Sequence, residues 1–215
     1  MNESEKLSNE LQDIKQMMER SSRFISLSGL SGISAGVCAL IGAWFANKAI
    51  HEQHNIISGL QQSSLHINTV ITGNILQSQL LQIGVTTFIA AFITAFFFTY
   101  QRSKKSNVPI WGTTARRVMI NVVIPMAAGG IFLYAMMQNG IYDFVAPGCL
   151  IFYGLGVVNA SKYTLHETRY LGYAEVLLGL VSAFFLGDGI YFWAAGFGVL
   201  HIVYGIYMWL KYERS

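Results

Sequence analysis

The sequence predicts an all-α protein that crosses a membrane six times. Two observations predict this fold: the composition of the chain and the one-sided placement of its basic residues. Of the 215 residues, 53% are hydrophobic and only 12% are charged, about half the charged share of ordinary soluble domains. A soluble protein of this composition would expose large apolar patches. We therefore expect lipid to surround most of the chain.

Six apolar stretches separate the clusters of charged residues and are the predicted membrane spans. Most are about 17–25 residues long, which carries a helix across some 30 Å of hydrocarbon. Strands of a membrane barrel would be shorter and would alternate in polarity, and lipid otherwise admits only helices. The predicted spans are residues 24–49, 75–100, 118–137, 144–160, 171–186 and 191–210.

The basic residues give the orientation of these spans. Of the 14 Lys and Arg residues, Lys48 alone falls on the opposite side of the predicted membrane from the others. The positive-inside rule then places both termini in the cytosol, and an even number of spans requires the same. The net charge of +3 is a topology signal and not a sign of nucleic-acid binding. Compact loops without a recognisable targeting segment favour the cytoplasmic (inner) membrane of a bacterial cell.

The chain before the first span, residues 1–23, predicts a short cytosolic amphipathic helix. Within residues 1–20, apolar side chains recur at steps of three or four, at Leu7, Leu11, Ile14 and Met18. Three roles stay open for this stripe. It could pack against the protein's own loops, pair with a second copy or a membrane-protein partner, or lie on the membrane surface.

Small residues predict how the first two spans pack, because they let helix backbones approach closely in lipid. One seam runs along the first span at Ser28, Gly32, Gly36, Ala39, Ala43 and Ala46, and another along the second at Gly84, Thr87, Ala91 and Ala95. We expect the two spans to pack together, with Phe88, Phe92 and Phe96 facing lipid, and a contact between two copies of the chain through these seams stays open. Between them, residues 51–74 form a polar external segment that continues the flanking helices. Its histidines match no metal-ligand spacing, and no metal site is expected.

The last four spans predict an internal repeat with an offset of 49 residues. Asn139-Gly-Ile-Tyr142 aligns with Asp188-Gly-Ile-Tyr191, and Lys162-Tyr163 aligns with Lys211-Tyr212. Each unit would be a helical hairpin with an external turn and a cytosolic Lys-Tyr anchor. The protein then consists of three hairpins, and the last two form parallel repeats.

Two ionisable side chains, Glu175 and His201, fall inside the predicted spans. They lie at equal sequence distances from Asp188 in the turn between spans five and six, so an antiparallel hairpin brings them to the same depth. Both project from glycine-rich faces that allow close helix contact, and we expect a hydrogen bond between them. Tyr173 and Tyr204 are candidate phenol donors near this pair.

Four roles stay open for the pair of Glu175 and His201: a structural lock, a proton- or ligand-binding site, a carboxylate reaching cytosolic water, or catalysis. The chain has no catalytic constellation, phosphate-binding loop or metal motif, so neither an enzyme nor a cofactor is expected. The sequence favours a non-enzymatic membrane scaffold, sensor or accessory subunit that acts through helix–helix contacts, with assembly into a homo-oligomer left open. The alternative is a small transporter, channel or ligand-binding membrane subunit with its polar site at this pair.

Overall fold

The structure, a computed structural model, describes residues 28–62, 69–106 and 110–214, with the side chains of residues 60–62, 69–75 and 106 left out. The amphipathic helix expected at residues 1–20 lies outside the described residues. Throughout the described part every regular element is helical. The helices are α1 (Gly29–Gln62), α2 (Thr69–Ser106), α3 (Thr113–Gln138), α4 (Val145–Ala160), α5 (Thr168–Ser182) and α6 (Gly189–Tyr212).

Four of these helices are long and apolar enough to cross a membrane. The apolar portions are Gly29–Gly59 in α1, Leu76–Lys105 in α2, all of α3 and all of α6. α4 and α5 have 16 and 15 residues, and a helix rises about 1.5 Å per residue, so each is shorter than a full span. The structure therefore supports a helical membrane protein, while the crossing of the membrane by α4 and α5 stays a prediction.

Large apolar side chains cover the outside of the molecule. Phe88, Phe92 and Phe96 are each more than half exposed and stack along one face of α2, with ring centroids 6.5 and 6.4 Å apart. Such a surface would be unfavourable in water and is the ordinary exterior of a helix in lipid. The outward position expected for these three residues is therefore found.

The helices do not pack as three separate hairpins. α1 packs against α2 on one side and against α6 on the other, while α4 packs against both α3 and α5. The contact between α5 and α4 is more extensive than the contact between α5 and α6. α6 therefore joins the α1–α2 pair to the group formed by α3, α4 and α5.

Glycines bring the backbones of α1 and α6 into direct contact. A Cβ atom on Gly205 would lie 2.6 Å from the carbonyl oxygen of Gly29, and one on Gly36 would lie 2.6 Å from the carbonyl oxygen of Gly198. Glycine is required at these positions because a side chain would meet backbone that cannot move aside. The glycines of the first-span seam therefore face α6 and not α2, which corrects the sequence-based expectation.

α1 does pack against α2, as expected, and Thr87 of the expected α2 seam takes part, but its partner on α1 is Gly42, which was not in the expected seam. A Cβ on Gly42 would overlap the side chain of Thr87, and the Cys38 Sγ lies 3.7 Å from the Thr94 hydroxyl oxygen. Gly84, which was expected in the seam, has nothing within 4 Å of the position of a Cβ. Gly42 and Thr87 therefore form a close contact between α1 and α2.

The turns of the two proposed repeat units do not correspond. Gly140 has a φ of +77° in the left-handed region, which glycine adopts without strain. Its counterpart at the offset of 49 is Gly189, the first residue of α6, whereas the second left-handed glycine is Gly187 with a φ of +103°. The left-handed glycines of the two turns therefore fall at different positions of the proposed repeat, and the duplication itself stays a prediction.

A polar cluster joins the start of α1 to the ends of α2 and α6. The Glu213 carboxylate accepts hydrogen bonds from the Gly29 backbone N–H and from the Ser28 hydroxyl, the latter at 3.2 Å. Arg102 Nη1 lies 2.5 Å from the same carboxylate. Glu213 therefore satisfies an unpaired N–H at the start of α1 and also neutralises a cation from α2.

A second cluster joins the end of α6 to the connection between α4 and α5. Glu167 Oε1 accepts hydrogen bonds from Lys211 at 2.5 Å and from the Tyr212 hydroxyl at 2.9 Å. Burial raises the pKa of Glu167, but the hydrogen bonds from Lys211 and Tyr212 outweigh burial, and the pKa lies below its ordinary value. We refer to the end of the molecule that holds both clusters as the basic end.

Candidate functional site

Polar side chains from α4, α5 and α6 meet inside the helical core. Glu175 on α5 is completely buried and His201 on α6 is 7% exposed. His201 Nδ1 lies 3.3 Å from Glu175 Oε1, and His201 Nε2 lies 2.7 Å from the hydroxyl oxygen of Tyr153 on α4. We call Tyr153, His201 and Glu175 the polar triad, to which three helices contribute one side chain each.

The hydrogen bonds of His201 define the roles of its two nitrogens. Nδ1 lies 3.1 Å from the carbonyl oxygen of Gly196. A carbonyl oxygen only accepts hydrogen bonds, so Nδ1 carries a hydrogen. In a neutral imidazole Nε2 is then an acceptor, and Tyr153 donates its hydroxyl hydrogen to it. In an imidazolium Nε2 donates to the Tyr153 oxygen instead, so this contact persists in both charge states.

Glu175 lies beside this hydrogen-bonded chain without joining it. Among the described residues, no group forms a hydrogen bond with either carboxylate oxygen, both of which are buried. The structure places Glu175 and His201 together, as expected from their equal distances from the turn. The hydrogen bond expected between Glu175 and His201 is not formed, because His201 Nδ1 donates its hydrogen to the Gly196 carbonyl oxygen instead. The result is a buried carboxyl group whose nearest ionisable neighbour is engaged elsewhere.

The backbone of α6 makes room for this carboxyl group. Gly196 lies in the π-helical segment Ala194–Leu200, and a Cβ there would lie 2.5 Å from Glu175 Oε2 and also overlap Leu150. π-helical turns inside α-helices are rare and are frequent at functional sites. Leu150 is completely buried and closes the carboxyl group in from the α4 side.

The two tyrosines expected near Glu175 lie elsewhere. Tyr173 is 53% exposed on the outside of α5, and the Tyr204 hydroxyl lies 2.9 Å from the Thr168 hydroxyl. The phenol that does reach the site, Tyr153, was missed by the sequence reasoning. Its signal was present, since Tyr153 and Glu175 lie at equal sequence distances from Thr164 in the α4–α5 connection.

A second feature lies at the end opposite the basic end, where α1 and α2 extend beyond the other helices. Gly36 packs on Gly198 and Ile202 in an antiparallel contact, and this register brings Lys48 of α1 level with Gly189, the first residue of α6. α1 continues to Gln62, which is about 20 Å further at 1.5 Å per residue. We call residues 48–62 of α1 and 69–82 of α2 the arm.

A cleft of about 480 Å³ lies between α1 and α2 at the base of the arm. Polar side chains line part of its wall, among them Lys48 and Glu52 on α1 and Gln79 and Gln82 on α2. Lys48 Nζ lies 3.7 Å from Glu52 Oε1, with side-chain exposures of 58% and 63%. An ion pair this exposed contributes little stability, so these charges are available to water and to other molecules.

Within the ranges that the structure describes, no three His, Cys, Asp or Glu side chains are grouped closely enough to hold a metal ion. Cys38 and Cys149 are free thiols. No protein family, no curated protein and no solved structure matches this chain. The polar triad and the arm are the two features of the described residues that suggest a function.

Proposed function

We propose that the protein is a non-enzymatic scaffold or accessory subunit of a cell membrane, which binds a partner protein through its arm. The observation that carries this proposal is the length of the first two helices. A span needs about 20 residues, whereas α1 has 34 and α2 has 38. By the register of α1 on α6 the surplus residues lie beyond the other described helices, and in the proposed arrangement they lie outside the lipid.

The surface of the arm supports contact with water and with a protein rather than with lipid. On α1 the side chains of His51, Glu52, His54 and Asn55 are exposed, and so is that of Ile56, at 55%. A helix that is polar around most of its surface either bridges between domains or needs other contacts. A partner that covers Ile56 and pairs with the neighbouring amide and imidazole groups would supply them.

The proposal includes six membrane crossings, with both termini in the cytosol and the arm outside. Two findings support it: the contacts at the basic end bring together the start of α1, the α4–α5 connection and the end of α6, and the basic residues cluster in the same parts of the sequence. The shortness of α4 and α5 can be accommodated by local thinning of the bilayer, which costs only fractions of a kcal/mol per Å.

A photo-crosslinking residue tests the proposal in intact cells. We would place it at Ile56 on the arm, and as a matched control at Ile131 on α3, which is 73% exposed and is expected to face lipid. The proposal predicts one protein adduct from position 56 that is absent from position 131. An adduct of twice the chain mass would identify a second copy as the partner. Identical products from both positions, or lipid adducts alone, would contradict it.

A second candidate function is a small ligand-binding or transporting membrane subunit with its site at Glu175 and His201. The specific observation in its favour is the buried carboxyl group of Glu175, whose two oxygens have no hydrogen-bond partner among the described residues. A structural lock would be expected to satisfy these atoms, because buried polar groups in proteins almost always have partners.

A further inference from the structure

The carboxyl group of Glu175 raises the question of which charge state this packing can hold. The side chain has no exposed surface. An ionised carboxylate in such a place is costly unless several donors surround it, and the ion-pair contact that the described residues offer is with His201, whose Nδ1 lies 3.3 Å away. Because His201 Nδ1 donates to the Gly196 carbonyl, the carboxylate receives no hydrogen bond from it.

The space around the carboxyl group restricts what can bind there. A Cβ added to Gly196 would meet Glu175 Oε2 and would lie 3.3 Å from Leu178 Cδ2. Leu150, which is completely buried, lies closer still to the same point. These contacts crowd the Oε2 side of the carboxyl group, and no three His, Cys, Asp or Glu side chains of the described residues are grouped to hold a metal ion. A proton needs neither a cavity nor a shell of ligands, so it is the cation that we consider at this site.

We propose that Tyr153, His201 and Glu175 form a proton-binding site, in which a proton on Glu175 holds α5 against α6 and its release opens this contact. Binding converts the carboxylate to a carboxylic acid by taking one proton from water, and no other bond changes. The inference deepens the second candidate function by naming a proton as the ligand. It does not depend on partner binding by the arm.

Each helix that packs around the site contributes its own polar or apolar groups. α4 presents Tyr153 and, one turn away, Cys149. α6 presents His201, while Tyr204 of α6 is engaged with Thr168. α1 faces the π-helical segment with Gly36 and Leu40, which carry no charge. No Lys or Arg side chain among the described residues pairs with Glu175, so the cation that these residues could place beside the carboxylate is a protonated His201, at 3.3 Å.

The direction of the pH dependence follows from the buried charge. With the proton bound, Glu175 is neutral and the close packing of α5 on Gly196 is favourable. When the proton leaves, a buried negative charge remains, and the side chain is drawn toward water. The closed packing is therefore favoured at low pH, and opening increases as the pH rises.

The native Cys149 thiol provides a reporter of this opening. Cys149 lies one turn from Tyr153 on the same face of α4 and is partly buried. We would replace Cys38 with Ser, purify the full-length protein in lipid nanodiscs, and measure the rate of maleimide alkylation across a range of pH. Glu175→Gln is the matched comparison, because Gln keeps the volume of the side chain and cannot ionise.

Ionisation of the Cys149 thiol raises the alkylation rate in both the protein with Glu175 and the Gln variant. The difference in pH dependence between the two proteins therefore reports the effect of Glu175. The inference predicts that alkylation increases roughly tenfold more with pH in the protein with Glu175 than in the Gln variant, as expected for a local opening. Tyr204→Phe, which removes a hydroxyl outside the triad, should keep the pH dependence. Equal pH dependence in the protein with Glu175 and in the Gln variant would overturn the inference. Slower alkylation on adding Na⁺ at constant pH would also overturn it, since the ligand would then be a metal cation.

Infrared spectroscopy tests the same site if the Gln variant does not fold. The inference predicts a carbonyl stretch from a protonated carboxylic acid at neutral pH, where exposed Asp and Glu side chains are ionised. This band should disappear as the pH rises, together with the faster alkylation of Cys149. Absence of the band at neutral pH would show that Glu175 is ionised in the closed packing, which contradicts the inference.

Discussion

Replacement of Gly205 by Ala should separate the backbones of α1 and α6. A Cβ at this position would lie 2.6 Å from both the Gly29 carbonyl oxygen and the Ile33 backbone nitrogen. Ordinary van der Waals contacts of a Cβ begin at 3.4 Å, so the two helices must move apart by roughly 0.8 Å to restore contact distance. Both opposing atoms belong to the backbone, so neither can move aside by a change of rotamer.

Overpacking of this kind costs about 1–3 kcal/mol. For a chain of this size each kcal/mol lowers the melting temperature by about 2–4 °C, and we therefore expect a fall of about 2–12 °C. Gly130→Ala on α3 is the matched control, because nothing lies within 4 Å of its Cβ position. Alanine favours a helix over glycine by up to about 1 kcal/mol, so the control should be unchanged or more stable.

Thermal unfolding in detergent, followed by tryptophan fluorescence, measures both variants. Trp209 is a suitable reporter, since its backbone lies against Gly29 in the same contact. We expect Gly205→Ala to lower the melting temperature and Gly130→Ala to leave it unchanged or to raise it. A Gly205→Ala protein as stable as the wild type would refute the direct backbone contact of α1 with α6.

Three further predictions concern the polar groups. Tyr153→Phe should lower the free energy of unfolding by about 1–3 kcal/mol, because it leaves a buried nitrogen of His201 without its partner. Denaturant titration measures this free energy, and an unchanged midpoint would contradict the hydrogen bond between Tyr153 and His201. Glu213→Ala should cost a similar amount of about 1–3 kcal/mol, because Gly29 loses the hydrogen bond to this carboxylate and Arg102 loses the ion pair with it. The same titration measures this cost, and an unchanged midpoint would contradict the prediction. The pKa of Glu167 is lowered in the folded state, so its contribution to stability is present above its ordinary pKa and is lost as the pH falls through the folded pKa. Glu167→Gln should therefore remove that part of the acid dependence of the melting temperature. Equal acid sensitivity of the melting temperature in both proteins would contradict this prediction.

Much of the helical framework could be predicted because lipid restricts the chain to helices of a minimum length. The apolar runs located all six helices, and the outward position of Phe88, Phe92 and Phe96 followed from their spacing. The partner of each helix was harder to predict. Gly32 and Gly36 showed that α1 approaches another backbone closely, but a small-residue face fits any similar face, and α6 offers Gly198 and Gly205.

The candidate site was only partly predictable for a related reason. Glu175 and His201 could be paired by counting residues from the turn between their helices, since depth in a membrane is proportional to sequence distance. The same count did not reveal which way each side chain points, so Tyr204 was expected at the site and Tyr153 was not. The π-helical turn that places Gly196 beside Glu175 has no sequence signature that we recognise.

The position of the α4–α5 connection tests the six-span arrangement most directly. In a protein with Cys38 and Cys149 replaced by Ser, a single cysteine at Lys162 would be treated with a membrane-impermeant maleimide in intact and in permeabilised cells, beside a second protein with the cysteine at Asn55. The account predicts that position 55 reacts in intact cells and that position 162 reacts only after permeabilisation. Reaction of position 162 in intact cells, or protection of it in both preparations, would contradict the crossing of the membrane by α4 and α5.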